Sequence, residues 1–281
     1  MPATSARSLV FDLFGDYIRY AGEAIGLAAL CELLAPFGVS PEAARTVMTR
    51  LRSEGWFESE KDGRTVTYIL SPRAVAMLDE GRDRIFNRDT SPWDGRWHLA
   101  VYQVPEQQRK TREALRKRLT FLGYGSLAPS TWLSARDQSA HVSAVVRDLS
   151  LTKEGLHITQ MVAHTAGDGG DRELARRCWQ LDEINGQYEQ WLTEWTPVIK
   201  RVRAKKLSGP NALVTRVNLV RSFRSFPFFD PELPADLLPT PWHGMPAYRT
   251  FMDAHRSLEG EATAWFYSVF ARTQRQTVAL P

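Results

Sequence analysis

The chain has 281 residues, 43% hydrophobic and 24% charged, with a net charge of +4, which are ordinary proportions for a folded globular protein. That length buries ample core, which excludes a disulfide-stapled scaffold and an intrinsically disordered chain; Cys31 and Cys178 lie far apart and fit reduced, cytoplasmic usage. No apolar run approaches the ~20 residues of a membrane helix, and Asp12 and Asp16 interrupt the first apolar stretch, so neither a membrane partner nor secretion is expected.

The first helix is predicted after Ser5, with Leu9, Val10, Leu13, Phe14 and Tyr17 at helical spacing. A second follows Gly22 with Leu27, Leu30 and Leu34 on one stripe, and Gly38 stops it by taking a left-handed C-cap conformation. Ser40-Pro41-Glu42 then reads as an N-cap, a proline in the first turn and an acid at the positive end of the helix dipole. The third helix runs to about Glu54, with Ala44, Val47, Met48 and Leu51 facing inward. Arg45, Thr46, Thr49, Arg50, Arg52 and Ser53 fill the outer surface.

Two strands, 56–60 and 64–70, flank Lys61-Asp62-Gly63, where Asp-Gly signals a hairpin. Helix, helix, hairpin is the order of a winged helix-turn-helix, in which the third helix reads a major groove and the wing tip meets phosphates. Ser40, Arg45, Thr46, Thr49, Arg50 and Arg52 on the helix, with Lys61 and Arg64 on the wing, are therefore the expected DNA contacts. Ser71-Pro72 caps a further helix carrying Ala74, Leu78 and Ile85.

Residues 87–95 form a polar linker. A strand over 97–104, a helix over 109–122, a strand over 126–133, a helix over 141–149 and a strand over 156–164 fit a ferredoxin-like α+β module. The basic face of 109–118, like the tract 200–206, reads as solvated surface. Beyond Asp171 the chain turns helical, and Trp179, Tyr188, Trp191 and Trp195 form a stripe suited to a core or a dimer interface. A helix or strand over 213–223, a proline-rich stretch over 227–246 and a final helix with Tyr248, Phe251, Leu258 and Phe266 complete the chain. The fold class is α+β, in three domains: 1–88 winged helix-turn-helix, 89–170 ferredoxin-like, and 171–281 helical, for ligand response and dimerisation.

Catalytic tools are missing. No G-x-S-x-G elbow, H-E-x-x-H or P-loop occurs, and the six histidines lack metal-ligand spacing, so no catalytic residue, metal or cofactor is expected. Residues 123–128 match G-x-G-x-x-A, but Pro129 follows where a helix must open to receive a pyrophosphate. Cys178, beside Arg176, Arg177 and Trp179 and without a partner base, reads as a structural thiol.

Several motifs in order carry a resemblance: Phe14-Gly15-Asp16-Tyr17, 39–56, Gly123-Tyr124-Gly125-Ser126-Leu127-Ala128-Pro129-Ser130-Thr131-Trp132-Leu133-Ser134 and Cys178-Trp179-Gln180-Leu181. Asp230-Pro231-Glu232-Leu233-Pro234, Leu237-Leu238-Pro239 and Trp242-His243-Gly244 follow. The sequence thereby resembles the PaaX family of bacterial transcriptional repressors, known for controlling phenylacetic acid degradation. The resemblance implies a winged helix, a central module similar to small CRISPR-associated metal nucleases, and a helical C-terminal domain. It also implies a homodimer that binds double-stranded operator DNA and releases it when an aryl-CoA thioester such as phenylacetyl-CoA binds; the residues holding that ligand are not assigned. Gln103-Val104-Pro105 stands where those nucleases place an aspartate at the end of their first strand. Two alternatives stay open: a metal-dependent nuclease using the central module, and a protein-interaction module.

Overall fold

The computed structural model describes residues 5–22, 24–62, 65–148, 157–166, 170–204 and 207–278. Its contacts divide the chain into two compact units, each assembled from separate segments. The first takes Met1–Asn87, Thr193–Phe223 and Tyr248–Pro281; the second takes Arg88–Leu192 and Arg224–Ala247. The segment expected as a C-terminal domain, 171–281, is thus shared between both units.

In the first unit, α1 (Ala6–Asp16) begins at Ser5, whose hydroxyl accepts the Ser8 N–H. A three-residue strand, β1 (Ala24–Gly26), precedes α2 (Leu27–Leu34); so short a strand carries no alternation to reveal it in sequence. One 3-10 turn (Ala35–Phe37) ends at Gly38, which has φ +76°. The chain then enters α3 (Pro41–Ser53), turned by 118° from the preceding helix, within the range of a helix-turn-helix. The strands β2 (Phe57–Asp62) and β3 (Thr65–Leu70) pair antiparallel, Lys61 opposite Val66, and β1 adds to β3 in the order β1-β3-β2. Ser71 caps α4 (Pro72–Phe86) by accepting the Ala74 N–H.

Two further helices complete this core. α9 (Pro210–Phe223) and α10 (Gly244–Val278) send Leu213, Val217, Ala262, Phe266 and Val269 in among Leu9, Leu13, Phe14, Leu30, Met48 and Leu51. Arg221 of α9 also reaches the buried Asp12 of α1 at 2.9 Å. The helix-turn-helix therefore shares one hydrophobic core with residues more than two hundred positions away in sequence. The segment 213–223, helix or strand from its pattern, is helical.

The second unit holds β4 (Trp97–Gln103), α5 (Arg109–Phe121), β5 (Gly125–Ala128), β6 (Thr131–Ser134), α6 (Ser139–Asp148) and β7 (His157–Ala163). Their order in the sheet is β5-β6-β4-β7 and every pair is antiparallel, the β-α-β-β-α-β arrangement of a ferredoxin-like module. The single strand expected over 126–133 is two strands in a hairpin. Pro129 has no N–H for a ladder, so the chain turns at Pro129-Ser130, and Tyr102 donates its hydroxyl to the Pro129 carbonyl at 2.9 Å.

One sheet face presents Ala100, Tyr102 and Trp132 to Leu115, Leu119, Val142 and Val145 of α5 and α6. Trp97 and Leu133, on the opposite face, pack with Ala175 of α7 (Gly170–Cys178), Trp179, Leu181, Leu233 and Leu237. A Cβ on Gly125 would sit 2.5 Å from the Trp179 indole, so only glycine lets the strand lie against that ring. α8 (Leu181–Ala204), which belongs to the second unit as far as Leu192 and to the first from Thr193, carries the rest of the aromatic stripe. Tyr188, Trp191 and Trp195 are all buried, and Tyr188 stacks on Phe226 at 4.0 Å.

The expected linker is irregular in backbone but not loose. Arg88, only 8% exposed at its side chain, pairs with the buried Asp230. Tyr188 donates its hydroxyl to the same Asp230 oxygen at 2.5 Å, and the Arg88 Nε lies 3.4 Å from Glu232. Burial opposes charge on Arg88, but Asp230 outweighs it and holds the guanidinium above its ordinary range. Burial, with Asp230 beside it, pushes the Tyr188 phenol well up. No single helix among the described residues is long and apolar enough to cross a membrane.

Candidate nucleic-acid interface

The outward face of α3 follows from helical period alone. Ala44, Met48 and Leu51 are buried and Val47 half-buried, which forces Arg45, Thr46, Thr49, Arg50 and Arg52 to the exposed side. Ser40 caps the helix by accepting the Ala43 N–H at 3.2 Å, so its hydroxyl has a structural task at the start of that face. Glu42 in the first turn is held below the usual carboxylate range by its own backbone N–H and the Ser40 hydroxyl. Thr46 donates its hydroxyl to the Glu42 carbonyl at 2.9 Å.

The arginines differ in how they are held. Arg50 is 78% exposed at its side chain, and its Nε meets Glu54 Oε1 at 2.9 Å in an i,i+4 pair. Arg7 from α1 takes the other oxygen of Glu54 at 2.5 Å, and the two cations keep that carboxyl below its ordinary range. Arg52 donates to Ser59 Oγ of β2 at 3.1 Å, which ties the helix to the hairpin. Arg45 is exposed on the same face.

Lys61 is exposed near the end of β2. Gly63 and Arg64, expected at the hairpin tip, lie outside the described residues. The structure thus gathers six of the eight expected residues on α3 and its cap and Lys61 on the adjoining hairpin. Sequence reasoning missed Arg7, whose partner is 47 positions away. It also missed Arg73, stacked over the Trp56 ring at 4.0 Å just beyond β3; a cation right after a capping Ser-Pro was the available signal.

Elsewhere the basic face of α5 is surface, with Arg109 paired to Glu113 at 3.0 Å. β4 ends at the exposed Gln103, an amide at the place where the nuclease alternative requires a carboxylate. Among the described residues no three His, Cys, Asp or Glu side chains gather in a group that would hold a metal ion. Burial pushes the Cys178 thiol up to about 11 despite the neighbouring Arg177, so it is far from a reactive thiolate.

A helix-turn-helix with this face, set ahead of a ferredoxin-like module and long C-terminal helices, defines a class, the transcription regulators. Three family models match in succession: a PaaX-like protein over 5–74, the PaaX protein central Cas2-like domain over 90–175, and the PaaX-like protein C-terminal domain over 179–268. The chain belongs to the PaaX family. It is 26% identical over 263 residues to the transcriptional repressor PaaX of Escherichia coli (strain K12), covering 93% of this chain and 83% of that protein. A solved structure, the uncharacterized protein Rv0674 from Mycobacterium tuberculosis, shares the fold. The TM-score is 0.62 at 23% identity, with 93% of this chain and 98% of that one covered.

Proposed function

We propose that the chain is a homodimeric, cytoplasmic repressor that places α3 in the major groove of double-stranded operator DNA and rests the β2–β3 hairpin on the phosphate backbone. The observation that carries this reading is the outward face of α3. Arginine and threonine stand there side by side on a helix whose apolar face is fully engaged in the core. Guanidinium groups suit guanine edges and phosphates, and hydroxyls suit bases and backbone oxygens. Similarity to a protein named as a transcriptional repressor supports the same reading.

The finer part of the proposal is release by an aryl-CoA thioester such as phenylacetyl-CoA, with an aromatic-acid catabolic operon as the target. A dimer presents two copies of α3, so the operator is expected to be roughly palindromic. The test is a fluorescence-anisotropy titration against the region upstream of its own gene, at two salt concentrations, with and without phenylacetyl-CoA. Affinity should fall steeply with salt, as for any protein that neutralises phosphates. Release by the thioester and not by free phenylacetate supports the effector; salt-independent or absent binding overturns the regulator reading.

A further inference from the structure

The positive charge of the chain is concentrated on α5, in the second unit. Six of its thirteen residues are Lys or Arg and one, Glu113, is acidic, so the excess on this helix alone surpasses the +4 of the whole chain. Leu115 and Leu119 point into the core beside Tyr102 and Trp132, which leaves Arg109, Lys110, Glu113, Arg116, Lys117 and Thr120 on the exposed side. Arg109 and Arg116 stand two helical turns apart, as do Lys110 and Lys117, so the four cations form two parallel rows with ~10 Å between the members of each. Glu113 is taken by Arg109 at 3.0 Å, and Arg116 lies over the Trp132 ring at 5.7 Å. Among the described residues no ion pair reaches Lys110, Arg116 or Lys117. α6, packed on the same sheet face, adds the exposed His141 and Arg147 and carries no acid before its last residue, Asp148.

Helix stability does not account for this pattern. The first turn of α5 holds no acid and instead carries Arg109, Lys110 and Arg112 at the positive end of the helix dipole, with no side-chain cap. The Arg109–Glu113 pair runs in the less favourable i,i+4 direction, cation before acid. Arg112 and Arg116 place like charges on neighbouring turns. A polyanion laid along the helix offsets all of these. The exposed stripe also lacks the apolar side chains that form the centre of a protein–protein contact, whereas interfaces with DNA are polar and strongly positive.

We infer that the exposed face of α5 is a second DNA contact, in which Lys110, Arg116 and Lys117, with Arg109 beside them, neutralise backbone phosphates of a double-stranded segment. The ~10 Å along each row matches about three base-pair steps at ~3.4 Å per step. No base is read there: the face adds affinity and leaves sequence preference to α3. As an operator contact this assignment rests on the regulator reading; as a phosphate-binding face it does not.

Fluorescence-anisotropy titrations of the full chain test it, with the labelled operator region and a scrambled duplex of the same length, over a series of salt concentrations. Lys110→Gln/Lys117→Gln, a change at two exposed side chains, should weaken binding to both duplexes by the same factor. It should also make the slope of log affinity against log salt shallower by about two, one for each phosphate contact removed. The preference for operator over scrambled DNA should stay as in the parent, and Lys110→Arg/Lys117→Arg should keep the parent slope. Lysine-dependent binding of both duplexes with no preference for the operator would sink the regulator reading and leave the face standing. A parent slope in the Gln variant, or a loss confined to the operator, overturns the assignment.

Discussion

Arg50 and Arg7 share one carboxylate: Glu54 meets the first at 2.9 Å and the second at 2.5 Å, one on each oxygen. The arginine best placed on the outer face of α3 is therefore already engaged in the free protein. The pairing uses Nε alone and leaves the terminal Nη donors for a second partner, so Glu54 restrains the side chain and offsets its charge rather than occupying its whole fork. Arg50→Ala is expected to weaken operator binding by ~1–3 kcal/mol if the arginine is bidentate to guanine. Glu54→Gln should tighten binding, because it loosens that restraint and removes a negative charge beside the outer face of α3. A gel-shift series in which both variants match the parent would remove Arg50 from the readout.

The ion pair between Arg88 and Asp230 predicts a large loss of stability on removing one partner. Asp230→Ala should lower the unfolding free energy by ~3–5 kcal/mol, because it takes the principal counter-charge from a buried guanidinium and leaves it the longer contact to Glu232. Joint replacement by Arg88→Met and Asp230→Leu should recover part of that loss, since neither charge is then buried. Urea denaturation of the three proteins measures this, and a double variant no better than the single one contradicts it.

Truncation after residue 88 removes α9 and α10 from the core of the helix-turn-helix. Leu213, Val217, Phe266 and Val269 then no longer cover Leu9, Leu13 and their neighbours. The isolated segment is expected to unfold without a cooperative transition and to bind dye that reports exposed apolar surface. A sharp transition in the fragment, equal to that of the full chain, would show that the shared core is dispensable.

Burial, with Arg216, Arg82 and Arg256 around it, takes the His255 imidazole from its ordinary 6.5 down to about 3. The folded chain keeps this group neutral while the unfolded chain protonates it below its ordinary value. Its contribution is therefore present above pH 6.5 and is lost progressively as pH falls toward 3. His255→Gln should flatten the dependence of the urea midpoint on pH between about 7 and 5, a window where few carboxylates titrate. An identical slope in parent and variant argues against a neutral His255.

Local chemistry was legible from the sequence, and distant pairing was not. Ser40-Pro41 and Ser71-Pro72 cap helices as read, because capping involves groups three residues apart. The inward residues of α3 followed from period alone. Pro129 lay inside a strand read as continuous over 126–133, although its missing N–H marks the place where the hairpin turns. By contrast, the pattern of α9 and α10 announces a buried face without saying what it faces, so their place in the N-terminal core was hidden. Arg88 and Asp230 stand 142 positions apart in unlike surroundings, and neither shows the other as its partner. Arg7 was missed at Glu54 for the same reason.

The shared core also bears on synthesis. Domains of a nascent chain usually fold as they leave the ribosome, amino-terminal part first. Here Phe266 and Val269 belong to the core that holds α3 in place. The helix-turn-helix reaches its finished form only when those residues have emerged, so an incomplete chain still on the ribosome does not yet possess a completed core beneath α3.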